Sequence, residues 1–206
     1  MKIEHHQKGF PYIIIEDLYT EEEENRIKKE FDFFLPSLKD PEDTGTAVDP
    51  ETREPLKKNK GIFLDSVFMD RSVSQILQIN RKIFTVLEQQ KYQIGYNNWF
   101  FKNQATHSDT TLLSYYEKDD HYAPHRDDGL FTVLTWFYKE PKSFTGGDFF
   151  FSDYGIRIKC KNNMTVVFPS MIEHVVHPVK VDEDKLGQGY GRWCLTQFGS
   201  YVNLNR

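Results

Sequence analysis

The pattern of hydrophobic positions along the chain changes near Gly95. Before it, Gly9 to Leu18 contains the run Tyr12-Ile13-Ile14-Ile15, whose β-branched residues predict a strand. Thr20 then opens a helix. Thr20-x-x-Glu23 forms a capping box, and the acidic residues Glu21 to Glu24 sit where a helix N-terminus favours negative charge. Ile27, Phe31, Phe34 and Leu35 share one face at helical spacing, and Pro36 ends the run. A second helix is predicted from Ser72 to near Gln90, with Ser72-x-x-Gln75 as a weaker box and Val73, Ile76, Leu77, Phe84 and Leu87 as its buried stripe. Between the helices, Lys39 to Lys60 has three prolines, many charges and few apolar groups. It reads as a mobile loop or a lid. After Gly95 short runs rich in aromatic and β-branched residues follow one another. Strands are predicted at Trp99 to Phe101, Thr110 to Tyr116, Phe131 to Tyr138, Asp148 to Ser152, Met164 to Phe168, His174 to Val181 and Tyr190 to Val202. Turn signals such as Asp128-Gly129, Gly146-Gly147 and Asn162-Asn163 separate them. This spacing predicts a sandwich or barrel, buttressed by the N-terminal helices.

Composition narrows the class. The 206 residues are 38% hydrophobic and 28% charged, which is the balance of a folded globular chain. The length suits a single domain, residues 1–206. Within it, residues 1–95 would supply a strand, supporting helices and the 39–60 loop, and residues 96–206 the barrel. Aromatics reach 15%, concentrated in the strand-like runs, and predict aromatic-lined walls. A net charge of -5 lacks the basic footprint of broad nucleic-acid or anionic-membrane binding. Cys160 and Cys194 are too few for a disulfide framework or a cysteine-based zinc site. Met1 to Tyr12 is polar, and no run has the length of a membrane span, so the expected location is the cytoplasm.

The candidate chemistry lies at His125-Arg126-Asp127. On a strand, residues two apart project to the same face, so His125 and Asp127 can reach one ion. Two imidazoles and a carboxylate form the facial triad that holds non-haem Fe(II) and leaves positions open. A third ligand could come from His174 or His177. These differ by three and face opposite ways on a strand, so one of them at most can serve. Alternation in Arg192 to Phe198 places Arg192, Cys194, Thr196 and Phe198 on one face. An inward arginine needs a carboxylate partner, either from the protein or from a dicarboxylate ligand.

Four motifs, in order, resemble the prolyl 4-hydroxylase group of 2-oxoglutarate- and Fe(II)-dependent dioxygenases. Tyr122-Ala123-Pro124-His125-Arg126-Asp127 resembles their Tyr-x-Pro-His-x-Asp. Phe144-Thr145-Gly146-Gly147-Asp148 resembles their Gly-Gly turn. His174 with Pro178 resembles their distal His-x-x-x-Pro, and Gly191-Arg192-Trp193 their basic residue on the last core strand. The resemblance covers about Leu113 to Tyr201. It implies a mainly β (α+β) fold, a double-stranded β-helix of the jelly-roll, cupin-like kind. It implies His125, Asp127 and His174 as catalytic metal ligands, which selects His174 over His177. Arg192 would pair with the distal carboxylate of 2-oxoglutarate, with Tyr116 and Thr196 lining that pocket. Tyr122 and Trp136 would face the substrate. The implied cofactors are Fe(II), 2-oxoglutarate and O2, with ascorbate a candidate reductant. The implied reaction hydroxylates an unactivated C–H, on a prolyl residue of a peptide or on free proline, and releases succinate and CO2. The partner is then a peptide or a small amino acid, with no nucleic acid and no membrane. Oxidative demethylation of nucleic acid and a non-catalytic binding module are the alternatives.

Overall fold

The computed structural model describes residues 1–91, 99–102, 106 and 108–201. The β-branched run Tyr12 to Glu16 forms strand β2. It pairs antiparallel with β1 (Lys2–His6), an element the polar N-terminus did not announce. The omission has a physical reason. β1 lies at the edge of its sheet, where charged and polar residues are tolerated and the apolar signature of a strand is weak.

Helix α1 (Glu21–Phe34) starts as predicted. Thr20 Oγ1 accepts from Glu23 N at 3.2 Å and Glu23 Oε2 accepts from Thr20 N at 2.8 Å. Ile27, Phe31 and Phe34 are buried. Pro36 does not end the helical path at once but sits inside a 3-10 turn, Leu35–Ser37. After the short α2 (Pro41–Thr44), β3 (Lys60–Phe63) and α3 (Leu64–Val67), the predicted second helix is broken into pieces. Arg71–Val73 is a 3-10 turn, α4 (Gln75–Ile79) is capped by Ser74 rather than Ser72, and α5 (Lys82–Gln90) follows. Buried Asn80 lies at the break, and its Nδ2 donates to Thr111 Oγ1 at 2.8 Å. Val73, expected in the buried stripe, is exposed. The aromatic run at Trp99 is a helical turn, α6 (Trp99–Lys102), not a strand. A run that short carries no period with which to tell the two apart.

The remaining strands are β4 (Ser108–Tyr116), β5 (Asp120–His125), β6 (Phe131–Phe137), β7 (Phe144–Gly146), β8 (Phe149–Phe151), β9 (Ile156–Ile158), β10 (Met164–Pro169), β11 (His174–Val181) and β12 (Arg192–Ser200). They build two antiparallel sheets. The larger has the order β1-β2-β10-β6-β12-β4-β3, and the smaller β5-β11-β8-β9, with β7 also pairing β11. The predicted last strand ends at Ser200, and Val202 lies outside the described residues. This is the double-stranded β-helix that the resemblance implied, within the sandwich-or-barrel class that the strand pattern predicts. One apolar layer lies between the larger sheet and the helices, where Phe31 stacks on Trp193 with ring centroids 4.7 Å apart. A second lies between the two sheets, around Trp136, Phe149, Phe151 and Phe168. Among the described residues no helix is long and apolar enough to cross a membrane.

The 39–60 segment has defined contacts. Val48 bridges Pro55 in a small ribbon. Its return limb bonds along β5, with Lys58 N donating to His121 O at 2.9 Å and Ala123 N donating to Leu56 O at 2.8 Å. A segment read as loop from its charges is therefore strapped to the strand that carries the first motif histidine.

Candidate metal and cosubstrate site

Strands β5 and β11 bring two histidines together. Their register pairs His125 directly with His174, so residues 49 positions apart in sequence face each other across one ladder. Asp127 arrives by a different route from the one expected. β5 ends at His125, and Asp127 lies in the loop beyond it, fixed by its N–H donating to Ser170 O at 3.0 Å. Its carboxylate nevertheless reaches both rings. His125 Nε2 is 3.7 Å from Asp127 Oδ1 and His174 Nε2 is 3.5 Å from Oδ2. One donor atom from each of the three falls within 4.8 Å of the others. His177 is outside this group, its ring beside Phe150.

The surroundings prepare these groups as ligands. His125 Nδ1 lies 2.8 Å from Ala123 O and His174 Nδ1 lies 2.9 Å from Ile172 O. A carbonyl can only accept, so each Nδ1 carries the proton and each Nε2 presents a lone pair to the cluster. Burial pushes the pKa of His125 down to about 3, with the charges of His174 and Lys57 adding to the effect, so the ring is neutral and able to coordinate. Burial also raises the pKa of Asp127, opposed by His174 and by a bond from Thr132. Thr132 Oγ1 donates to Asp127 Oδ2 at 2.6 Å, and Ser170 Oγ stands 2.9 Å from Thr132 Oγ1. This chain orients the carboxylate. No sequence motif singled out Thr132 or Ser170.

Arg192 lies in the same cavity, fully buried. Its guanidinium sits between two rings, 4.9 Å from the centroid of Tyr116 and 5.3 Å from that of Trp136. Among the described residues none of Nε, Nη1 and Nη2 has a hydrogen-bond partner. The ionisable groups around it are Cys160, Cys194 and Tyr116. Burial holds all three above their ordinary pKa, Cys194 at about 11, so they are neutral near pH 7 and offer no counter-charge. Stacking on aromatic faces contributes on the order of 2 kcal/mol when desolvated, well short of what burying an unpaired cation costs. The guanidinium is thus left without a counter-charge among the described residues. Gly147 makes the space, since a Cβ there would stand 2.9 Å from Arg192 Cδ, and its φ of +72° suits glycine. Lys180 and Lys185, the other basic residues near that point in sequence, pair with Asp119 and Asp184 at the surface.

The remaining expected residues divide. Tyr116 and Thr196 line the cavity. Tyr122 does so too, with its ring stacked on His125 at a centroid distance of 3.4 Å. Its Oη accepts from Ala47 N at 3.2 Å. Trp136, expected at the substrate, is instead fully buried beneath Arg192 and does not line the cavity. Its ring faces the inside of the barrel, with the Arg192 guanidinium over it, 5.3 Å from the ring centroid. Two lining residues came without a sequence signal. Lys57 and Asn59 belong to a polar run that reads as solvent-exposed, yet both are buried. Burial lowers the pKa of Lys57 to about 8.

Comparison with known proteins agrees with this architecture. Residues 110–199, from β4 to β12, match the family model of the 2OG-Fe(II) oxygenase superfamily. That match spans the strands that carry the His125–Asp127–His174 cluster and Arg192, and the superfamily's name states its use of 2-oxoglutarate and Fe(II). Among solved structures, a prolyl-4-hydroxylase of Pseudomonas putida aligns over 93% of each chain with TM-score 0.56 and 14% identity. The viral collagen prolyl hydroxylase of Paramecium bursaria Chlorella virus-1, in complex with 2OG, aligns over 93% of this chain and 96% of its own, with TM-score 0.58 and 15% identity. OsALKBH1 aligns over 91% and 97%, with TM-score 0.55 and 13% identity. At these identities the likeness is one of fold. A search of curated proteins finds no match.

Proposed function

We propose that the chain is one catalytic domain that hydroxylates an unactivated C–H with 2-oxoglutarate as cosubstrate. In this reading His125, Asp127 and His174 hold Fe(II), and the substrate is a prolyl residue of a peptide or free proline. The observation that carries it is Arg192. A fully buried guanidinium without a partner, in one cavity with a His–Asp–His cluster, is complementary to a ligand with a carboxylate at its far end and metal-binding atoms at the other. The donor set fits Fe(II), which accepts imidazole nitrogen and carboxylate oxygen. Bound iron with its cosubstrate supplies the oxidising chemistry.

The protein's own groups then have distinct tasks. The carbonyls of Ala123 and Ile172 hold both imidazoles in the ligating tautomer. Thr132 holds the Asp127 carboxylate in place. Tyr116, Cys194 and Thr196 form the wall beside Arg192, and Tyr122 braces His125 while the 39–60 segment covers it. Burial of the whole set keeps water from the reacting centre. The prolyl preference rests on the four-motif resemblance and on the prolyl hydroxylases among the structural neighbours. The net charge of -5 weighs against a nucleic-acid substrate.

The test is anaerobic. Adding 2-oxoglutarate to the Fe(II)-loaded protein should produce a visible metal-to-ligand charge-transfer band, and Asp127→Ala should abolish it together with succinate release in air. A wild-type protein that gives neither band nor succinate contradicts the reading. A strong salt dependence of single-strand binding would favour the demethylase alternative.

A further inference from the structure

The cavity contains a second buried cation, on a different segment from Arg192. Lys57 is 4% exposed, lines the cavity with the cluster, and its charge acts on His125. Its Nζ donates to a single acceptor, Gly45 O at 3.1 Å, and an ammonium has three donors. Among the described residues it forms no ion pair. Asn59, two residues on, also lines the cavity and is 3% exposed. Its Nδ2 lies 3.4 Å from Lys60 O, which fixes the orientation of the amide and leaves Oδ1 with no donor. An ammonium with one of its three donors used and an amide oxygen without a donor among the described residues thus border one space. Both come from the segment strapped over β5, whereas Arg192 comes from β12 in the opposite sheet.

A ligand that satisfies both must bring a negative group for Lys57 and an N–H for Asn59. A carboxylate with a neighbouring nitrogen does this with few atoms, and an internal prolyl residue has neither group. We propose that Lys57 and Asn59 read the α-carboxylate and adjoining N–H of the substrate, which is therefore a free amino acid or the C-terminal residue of a peptide; proline meets both only as the free amino acid, because a prolyl residue in a peptide has no N–H. This rests on the oxygenase reading above and narrows it. Lys57 becomes the residue that sets specificity for a free carboxyl end, and the 39–60 segment becomes the element that carries that specificity. An extended peptide threading through the cavity would leave the ammonium buried and unmet.

The test uses the Fe(II)-loaded protein with 2-oxoglutarate, without oxygen. The charge-transfer band is recorded first. Its absence defeats the oxygenase reading, and with it this inference. With the band present, the twenty free amino acids and their amides are titrated, followed by dipeptides with free or amidated C-termini. Binding is read from the shift of the band and by calorimetry. A carboxylate on Lys57 should give acids at least about a tenfold advantage over the matching amides. Lys57→Met should reduce that advantage to about twofold or less, while Lys57→Arg keeps most of it. Asn59→Leu should weaken acids without erasing their advantage over amides. Preference for free amino acids or for acid dipeptides assigns the source of the carboxylate. Equal or better binding of amides, or no binding by any acid up to tens of millimolar while the band forms, overturns the proposal. A Lys57→Met protein that loses 2-oxoglutarate but keeps the acid preference also overturns it, since Lys57 would then serve the cosubstrate.

Discussion

The two faces of β12 are almost equally buried and chemically opposite. On the outer face, Trp193 stacks between Phe31 and Tyr115, and its Nε1 donates to Gly189 O at 3.0 Å. Even the charge on that side is answered. Gln197 Nε2 donates to Asp109 at 3.0 Å, and the same carboxylate is held by Arg71 and Arg81. On the inner face, one residue away, Arg192 is buried to the same degree and has no hydrogen-bond partner among the described residues. Burial is therefore no guide to which face is functional. What separates them is whether each buried polar group has its hydrogen bonds, which is where folding stability and ligand binding part company.

Substitutions can break this contrast in graded steps. Trp193→Ala should have the largest effect on stability, a loss of about 3–5 kcal/mol by chemical denaturation, because it empties the layer between sheet and helix. Gly147→Ala should cost about 1–3 kcal/mol through its positive φ and also weaken 2-oxoglutarate binding measured by calorimetry, since its Cβ would press on Arg192 and Val179. Gly155→Ala is its control. It has a φ of +63° but nothing within 4 Å of the added carbon, so it should lose stability and keep full cosubstrate affinity. Thr20→Ala, at the cap of α1, should lose about 1 kcal/mol and leave binding untouched. If Gly147→Ala and Gly155→Ala behave alike in binding, the close contact with Arg192 has no role.

Much of this arrangement could be read from the chain, and the failures have identifiable causes. Short runs rich in aromatic and β-branched residues located β4, β6, β10, β11 and β12, and alternation within the last put Arg192, Cys194, Thr196 and Phe198 on one face, which lines the cavity. The pairing of His125 with His174 could be inferred only by resemblance, because register between strands far apart in sequence is a tertiary fact. Asp127 was placed correctly for an incomplete reason: the loop bond to Ser170, not strand alternation, delivers it. Trp136 was assigned to the correct face but at the wrong depth. Lys57 and Asn59 were hidden because their burial arises from docking of the 39–60 ribbon onto β5, and a run of lysines otherwise signals solvent. The break between α4 and α5 escaped for a similar reason, since Asn80 is committed to a partner on β4.

The most direct test of the central claim is Arg192→Met, with 2-oxoglutarate affinity of the metal-loaded protein and denaturation of the metal-free protein measured side by side. If the buried guanidinium exists to receive a carboxylate, affinity should fall by roughly thirtyfold to a few thousandfold, corresponding to about 2–5 kcal/mol. The ligand-free variant should be as stable as the wild type or more so, because an uncompensated buried charge has been removed. Unchanged affinity, or a loss of stability as large as that of Trp193→Ala, would make Arg192 a structural residue and contradict the account.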